Sequence, residues 1–524
     1  MTLDAVGLEV MGHAFAAIAE EMGLVLIHSA PSPNIRERRD CSAALFDADG
    51  AMTAQAAHIP VHLGAMAESV AAVRGLASPP RPGDVFILND PYTGGSHLPD
   101  ITLIGAVDIA GAVGGYSVVR AHHSDVGGMR AGSMPAGARE IFAEGVILPP
   151  LLLTPEVERM LLANVRTPET RRGDLAAQRA AVERGADGLR ALGARYGWPA
   201  VREAAHDLMD YAERRTRQTL RRIPAAGLTA TDWLEGDGVD DRDVPITVRI
   251  DIQGGELHAD FTGTAPAVRG NINCPLAVAR SAALFVVRAL LPEDVPTNGG
   301  VGRAVRVTAP EGCLVNARHP SAVAAGNVET SQRIVDTLFL ALARGSVPVP
   351  AQGQGTMNNV TFGGQLAAGI GQRGGGVTGG WTYYETIGGG QGATPNAPGP
   401  SGVHVGMSNT RNTPIEVLEM ECPLRLKTYA LRRGSGGVGR WAGGDGVVRE
   451  FEALAPMELS VLAERRRHEP AGAAGGGHGA AGRTILNGTP LASKVSALLE
   501  PGDVVRIETP GGGAWGKPEQ GDAR

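Results

Sequence analysis

The chain is poor in aromatic side chains, in lysine and in cysteine. Each scarcity removes a class of function. Phe, Trp and Tyr make up 4% of 524 residues, and the net charge is −7. A single-stranded nucleic-acid surface needs aromatic platforms along a basic groove, so no nucleic-acid partner is expected. Cys41, Cys274, Cys313 and Cys422 lie far apart, with no CxxC pair. That excludes a disulfide framework and a cysteine-rich zinc module, and it fits a reducing cytosol. The N-terminus, MTLDAVGLEVMGHAF, lacks the basic and apolar regions of a secretory signal. No run of about 18 apolar residues suggests a membrane span. A cytoplasmic chain with no membrane partner is expected.

Phosphate-binding loops are also missing. Gly434-Ser435-Gly436-Gly437-Val438-Gly439 matches GxGxxG, but RWAGGDGVVREFEAL follows it, which is glycine-rich and then strand-like. A dinucleotide fingerprint needs a helix there, so that the pyrophosphate meets the helix N-terminus. Gly511–Lys517 (GGGAWGK) nearly spells a P-loop, but Pro518 stands where a Ser or Thr would hold Mg²⁺. There is no GxSxG nucleophile elbow.

What the chain does have is glycine. Its 74 glycines are about twice the usual share. They lie between apolar runs with no three-residue period, which predicts many tight turns rather than collagen or disorder. Hydrophobic residues at 43% suffice for buried cores, and the length predicts about two to four structural units. Residues 5–25 read as an amphipathic helix, and 41–47 and 84–88 as strands. Residues 155–222 read as a helical block, cut into three helices by Pro168, Gly173, Gly197 and Pro199. Residues 245–263 alternate as strands around the Gly254-Gly255 turn. Residues 275–291 and 328–345 read as helices. The expected architecture is α+β, with glycine-rich mixed or antiparallel sheets and one helical block. Its regions are 1–150 (α/β, with the metal site), 151–235 (helical), 236–350 (α/β), 351–518 (glycine-rich and β-rich) and a loose tail at 519–524.

The densest chemistry lies between Asn89 and Asp125. NDPYTGGSHLPD, an apolar run and AHHSDVGG together hold Asp90, His97, Asp100, His122, His123 and Asp125. Imidazole and carboxylate are the side-chain ligands that suit Zn, Mn or Fe(II). The neighbouring pairs Gly94-Gly95 and Gly127-Gly128 let loops aim side chains into a small volume. The same Asp-Pro and Gly-Gly pairs also serve as ordinary turn punctuation. Val118–Val126 alternates as a strand, so His122 and His123 point to opposite faces and only one of them serves a given metal.

Taken with SPNIRERRDCSAALFDADG (32–50), HIPVHLGAM (58–66), EIFAEGVILPP (140–150), RGNINCP (269–275), AAGNVETSQRIVD (324–336), QGTMNN (354–359), YYETIGGGQGA (383–393), SNTRNTPIEVLE (408–419) and TPGGGAWGKP (509–518), these segments resemble the hydantoinase B/5-oxoprolinase family over nearly the whole chain. That family includes the B-type subunits of N-methylhydantoinases and oxoprolinases, and the metal subunits of acetone and acetophenone carboxylases.

The resemblance implies a metal-dependent catalytic B-type subunit of an ATP-dependent cyclic amide hydrolase. Its partner is an A-type subunit that binds ATP and Mg, in an A2B2 assembly. The A-type subunit phosphorylates the amide oxygen. A divalent metal on the B-type subunit, Zn or Mn or else Fe, then helps to supply hydroxide at neutral pH. The family's ligands fall on Asp40, His97, Asp100 and His122. Ala121-His122 fits the family's Ala-His-x-x-Asp-(Val/Ile)-Gly-Gly core and favours His122 over His123. Catalytic candidates are Glu144, Glu385 and Asp125, with Glu329 as a further acid to test. Asp125 either orients a ligand histidine or caps the Gly127-Gly128 turn. His58 and His62 are placed to line the pocket, and Asn358, Asn359 and Arg411 to bind polar groups or tie loops together. The alternatives are the metal subunit of an ATP-dependent ketone carboxylase and a non-catalytic scaffold for the A-type subunit.

Overall fold

A computed structural model describes residues 4–518, apart from Ala57 and residues 366–379. The expected tail at 519–524 lies outside the described residues. The architecture is α+β, built on four sheets.

The first sheet has six strands: β1 (Cys41–Asp47), β2 (Met52–Ala56), β3 (Val85–Leu88), β4 (Asp100–Ile109), β5 (Ala112–His122) and β6 (Leu151–Leu152). They are ordered β2-β1-β5-β4-β3-β6, and every pairing is antiparallel. Helices Ala5–Ser29 and Pro168–Tyr196 cover one face, with Phe15, Met22, Leu26, Leu175, Val182 and Leu189 in the shared core. Helix His62–Arg74 covers the other face through Met66, Val70 and Val73. With both faces covered, β1, β4 and β5 are almost wholly buried rather than alternating.

The helical block resolves into Pro155–Leu162, Pro168–Tyr196 and Trp198–Leu220. Thr154 caps the first, its hydroxyl accepting from Val157 N–H. Gly197, at φ 81°, separates the last two. The longest helix packs on the first sheet rather than forming a free-standing bundle. Among the described residues one helix, Ala5–Ser29, passes as long and apolar enough to cross a membrane by length and composition alone, although Glu9, Glu20 and Glu21 interrupt its apolar run. Its buried face packs against the first sheet.

The second sheet, β10-β9-β8-β7, comprises Leu228–Glu235 (β7), Asp243–Gln253 (β8), Glu256–Asp260 (β9) and Val305–Thr308 (β10). Helices Leu276–Leu290 and Ser331–Arg344 share its core. The β10–β9 pairing is parallel. The third sheet contains β11 (Asn359–Gln365) and β12 (Gly380–Glu385), followed by Met457–Leu462 and Lys494–Leu499. It shares an apolar core with a fourth sheet, formed from Leu424–Arg432, Gly446–Ala453, Arg483–Leu486, Thr489–Pro490 and Val504–Glu508, through Phe362, Trp381, Phe451 and Val505. The glycine-rich runs beside it bring backbones into contact: a Cβ on Gly443 would lie 1.9 Å from the Gly512 carbonyl. The GxGxxG run leads into the strand Gly446–Ala453, not a helix.

A buried ion network ties these units together. Arg333 lies 3.3 Å from both Asp232 and Glu464, and Lys494 pairs with Glu464.

Candidate metal centre

The site forms where three elements end. Strand β4 starts at Asp100 and β5 stops at His122, and these two residues are direct cross-strand partners. Directly opposed residues on one face sit within side-chain reach. His97 comes from the turn before β4. Gly95 makes that turn possible, since a Cβ there would lie 2.3 Å from the Asn89 carbonyl.

Asp100 is the hub. Its Oδ1 lies 3.0 Å from His97 Nε2 and 3.3 Å from His122 Nδ1. Its Oδ2 accepts from Ser96 Oγ at 2.7 Å and from Asn327 Nδ2 at 3.2 Å, and lies 3.4 Å from His62 Nε2. All five neighbours are buried. Burial alone would push the Asp100 carboxyl up, but His97, His62 and His122 hold it well below the usual range. His97 rises despite its burial, because Asp100, the Ala324 carbonyl and Asp40 favour its charged form. Burial lowers His122.

His97, Asp100 and His122 each offer a ligand atom within 4.8 Å of the others. His122 Nε2 is buried with no hydrogen-bond partner in the protein. Two imidazoles around one ionised carboxylate suit a divalent cation at about 2.0–2.2 Å from each donor. The donor set therefore fits the metal that the resemblance implies.

Asp40 lies beside this trio but outside it. Its carbonyl accepts from His122 N–H at 3.0 Å, and its side chain faces the same small chamber. Asp40, His62, Asp100, His122, Asn327 and Tyr384 line that chamber, with Ile59, Val61, Val328 and Met357 on its apolar side. Its volume is about 20 Å³, room for one water. A larger cleft of about 350 Å³ lies behind helix His62–Arg74, but none of the trio lines it. A second group brings Asp47 and Asp49, at the β1–β2 turn, beside His206 of the helix Trp198–Leu220, and there Asp47 Oδ1 already accepts from Asp49 and Ala51 N–H.

The other sequence candidates fall elsewhere. His123 turns away and bonds Gln178 at 2.9 Å, and burial lowers its pKa to about 3. Asp125 accepts from Gly127 N–H, Gly132 N–H, Arg166 N–H and the Arg166 guanidinium. It therefore knits the loop after β5 and contacts no ligand histidine. Glu385 projects from β12 to the face opposite Tyr384, 3.2 Å from Arg449 and 2.7 Å from Asn412. Asn358 ties Gln354 to the Ile387 carbonyl.

Glu144 lies one step behind His97. Its carboxylate accepts from the N–H groups of Val323 and Ala324, and the Ala324 carbonyl sits 3.2 Å from His97 Nδ1. Burial raises the Glu144 pKa to about 8. Glu329 is likewise raised to about 7 by burial and by Glu464. His58 is half-buried beside Cys41, outside the chamber lining.

Two contributors escaped the sequence reading. Tyr384 stacks on His122, with ring centroids 4.4 Å apart and planes at 12°. Asn327 reaches Asp100 from a π-type turn, Gly326–Thr330. Both lie inside family-like segments, at 383–393 and 324–336, but nothing local marks either as a neighbour of Asp100.

Residues 4–518 match the family model described as hydantoinase B/oxoprolinase. A protein of Methanocaldococcus jannaschii is 39% identical over 99% of this chain and 92% of its own length. The 5-oxoprolinase 1 of Arabidopsis thaliana is 37% identical over 98% of this chain, which spans 42% of that enzyme. The putative B-type subunit of a D-/L-hydantoinase from a Pseudomonas species is 30% identical over 98% of this chain and 90% of its own length. The ATP-dependent caprolactamase of Pseudomonas jessenii superposes with a TM-score of 0.89 at 28% identity, over 99% of this chain and 92% of its own. An acetone carboxylase chain superposes at 0.84 over 98% of this chain and 75% of its own, with 16% identity, a likeness of fold. The chain belongs to the hydantoinase B/oxoprolinase family.

Proposed function

We propose that this chain is the metal-dependent ring-opening subunit of an ATP-dependent cyclic amide hydrolase, acting in the cytoplasm with an ATP-binding A-type partner. The observation that carries this reading is the buried trio His97, Asp100 and His122 beside a small chamber. The sequence offers no phosphate loop, so ATP chemistry falls to the partner. The 5-oxoprolinases extend well beyond the part matched here, which leaves room for that function in the same polypeptide. A separate partner in an A2B2 assembly suits the shorter hydantoinase-type relative.

A lactam is a stabilised amide, and phosphorylating its oxygen makes the carbon electrophilic. His97, Asp100 and His122 would hold a divalent cation, Zn or Mn or else Fe, which lowers the pKa of a water at neutral pH. Asp40 faces the chamber from outside the trio and would accept the water's proton. Ile59, Val61, Val328 and Met357 exclude bulk water and strengthen these interactions. Glu144 fixes the Ala324 carbonyl, which orients His97 through Nδ1. Water adds to the activated carbon, the ring C–N bond breaks as the ring nitrogen takes a proton, and a second water splits the resulting acyl phosphate into the carboxylate and inorganic phosphate. Neither Asp125 nor Glu385 is given a chemical step, because each is occupied by loop or ion-pair contacts.

The ketone carboxylase reading draws on a likeness of fold alone, whereas the caprolactamase is closer in both sequence and superposition. The deciding experiment measures metal content of the wild type, His97→Ala and His122→Ala. ATP-dependent ring opening of hydantoin, caprolactam and 5-oxoproline is assayed with the A-type partner, and bicarbonate plus ketone in parallel. Metal and ring opening lost together in both variants are expected. Turnover only with bicarbonate would move the chain to the carboxylases. Activity surviving both substitutions without metal would leave a scaffold.

A further inference from the structure

Glu329 does not itself line the chamber, yet two hydrogen bonds and one ring stack connect it to His122. It sits in the π-type turn Gly326–Thr330, ahead of helix Ser331–Arg344. Single π turns interrupt the regular helical phase and are frequent at functional sites. This one serves the metal centre by two routes. Asn327 donates directly to Asp100 Oδ2 at 3.2 Å. Glu329 Oε1 accepts from Met357 N–H at 3.0 Å and from Asn359 Nδ2 at 2.7 Å. Asn359 Oδ1 then accepts the Tyr384 hydroxyl at 2.7 Å.

The Tyr384 ring lies flat on the His122 imidazole, 4.4 Å between centroids. The Arg38 guanidinium sits 5.0 Å from the centroid of the same ring. Glu329, Asn359, Tyr384, His122 and Arg38 are all buried. His122 Nε2 has no partner of its own. The tilt of its imidazole is therefore set by Asp100 at Nδ1 and by the phenol ring against it.

We infer that Glu329 is a positioning residue which, through Asn359 and Tyr384, holds the His122 imidazole in its metal-binding orientation. The inference rests on the metal reading proposed above. Removing the Glu329 carboxylate leaves two buried N–H groups, Met357 and Asn359 Nδ2, without that acceptor. The Asn359 amide then keeps only its bond to the Leu462 carbonyl, at 2.8 Å, and the acceptor that anchors the Tyr384 hydroxyl is held by one contact instead of two. Glutamine repairs this. Its Oε1 accepts the same two bonds.

The test is Zn²⁺ affinity of the purified chain, by competition with a chromophoric chelator, for wild type, Glu329→Ala, Glu329→Gln and Tyr384→Phe. Melting temperatures are recorded alongside. Outer partners of a metal ligand are worth about 10- to 100-fold in affinity, so Glu329→Ala is expected to weaken Zn²⁺ binding by about that factor. Glu329→Gln stays close to wild type. Tyr384→Phe, which keeps the ring and the core, weakens binding several-fold and carries the test if Glu329→Ala does not fold. Wild-type affinity in both Glu329→Ala and Tyr384→Phe overturns the inference and leaves the metal reading standing. So does equal damage in Glu329→Gln and Glu329→Ala, since charge rather than geometry would then matter. A wild type that binds no metal removes the earlier reading itself.

Discussion

Asp100 and His122 face each other across the seam between β4 and β5, and the carboxylate oxygen lies 3.3 Å from imidazole Nδ1. The pairing register places them there, so backbone hydrogen bonds alone build the core of the candidate centre. His97 adds the third donor from the turn that leads into β4. Asp100→Asn keeps the shape and removes the charge that draws both imidazoles in. Metal affinity is expected to fall by more than the 10- to 100-fold typical of losing an outer partner. Equilibrium dialysis with metal analysis measures it, and undiminished binding would show that Asp100 is only a structural hub.

Glu144 makes a pH prediction. Its carboxyl titrates at about 8 in the folded chain against an ordinary value of 4.5, because burial disfavours the charge. The folded state therefore holds this proton more tightly than the unfolded state. The stability it contributes is complete below the ordinary value and is lost as pH rises towards 8. Glu144→Gln keeps an acceptor for the Val323 and Ala324 N–H groups without the titration. Its melting temperature relative to wild type, measured in chelator, should rise steadily from acid to mildly alkaline pH. A difference independent of pH would rule out Glu144 as the titrating group.

Much of the local structure was legible because periodicity reports it. The strand at 41–47, the breaks at Pro168 and Gly197 and the turn at Gly254-Gly255 all follow from side-chain period and turn residues. Alternation likewise separates His122 from His123, which bonds Gln178 instead. Partnership over long sequence distance was not legible. Glu144 reaches Val323 and Ala324, and Tyr384 reaches His122, only because separate sheets converge. Periodicity identifies a buried face but not the element that buries it. That is why residues 155–222 read as a helical block with no partner named, whereas its longest helix lies on the first sheet. The π turn carrying Asn327 and Glu329 has no sequence signature, since it emerges from packing around an otherwise ordinary helix start.

Asp125 separates loop architecture from chemistry. It accepts three backbone N–H groups and an Arg166 guanidinium while fully buried. Hydrogen bonds to charged groups are worth about 1.5–3 kcal/mol each, and they are not additive. Asp125→Ala is therefore expected to destabilise the fold by about 3 kcal/mol in urea unfolding. Metal affinity should stay near wild type, because no ligand loses a contact. A large drop in affinity at unchanged stability would instead return Asp125 to the metal centre.

The chamber beside the trio holds about 20 Å³, too little for a five-membered ring. On the function proposed above, a cyclic amide enters only if a wall moves. The described wall includes Ser408 and Thr410, both bonded to the half-buried His404 ring, and Met357 on the apolar side. Methionine is the most adaptable of these, being unbranched. Met357→Ala removes its bulk at a cost of about 2–5 kcal/mol, so the variant is assayed at reduced temperature. If the substrate ring sits here, kcat/KM for a seven-membered lactam should rise relative to that for a five-membered one. The ratio cancels any general loss of active protein. An unchanged ratio would place the ring outside this chamber, with only the attacking water inside it.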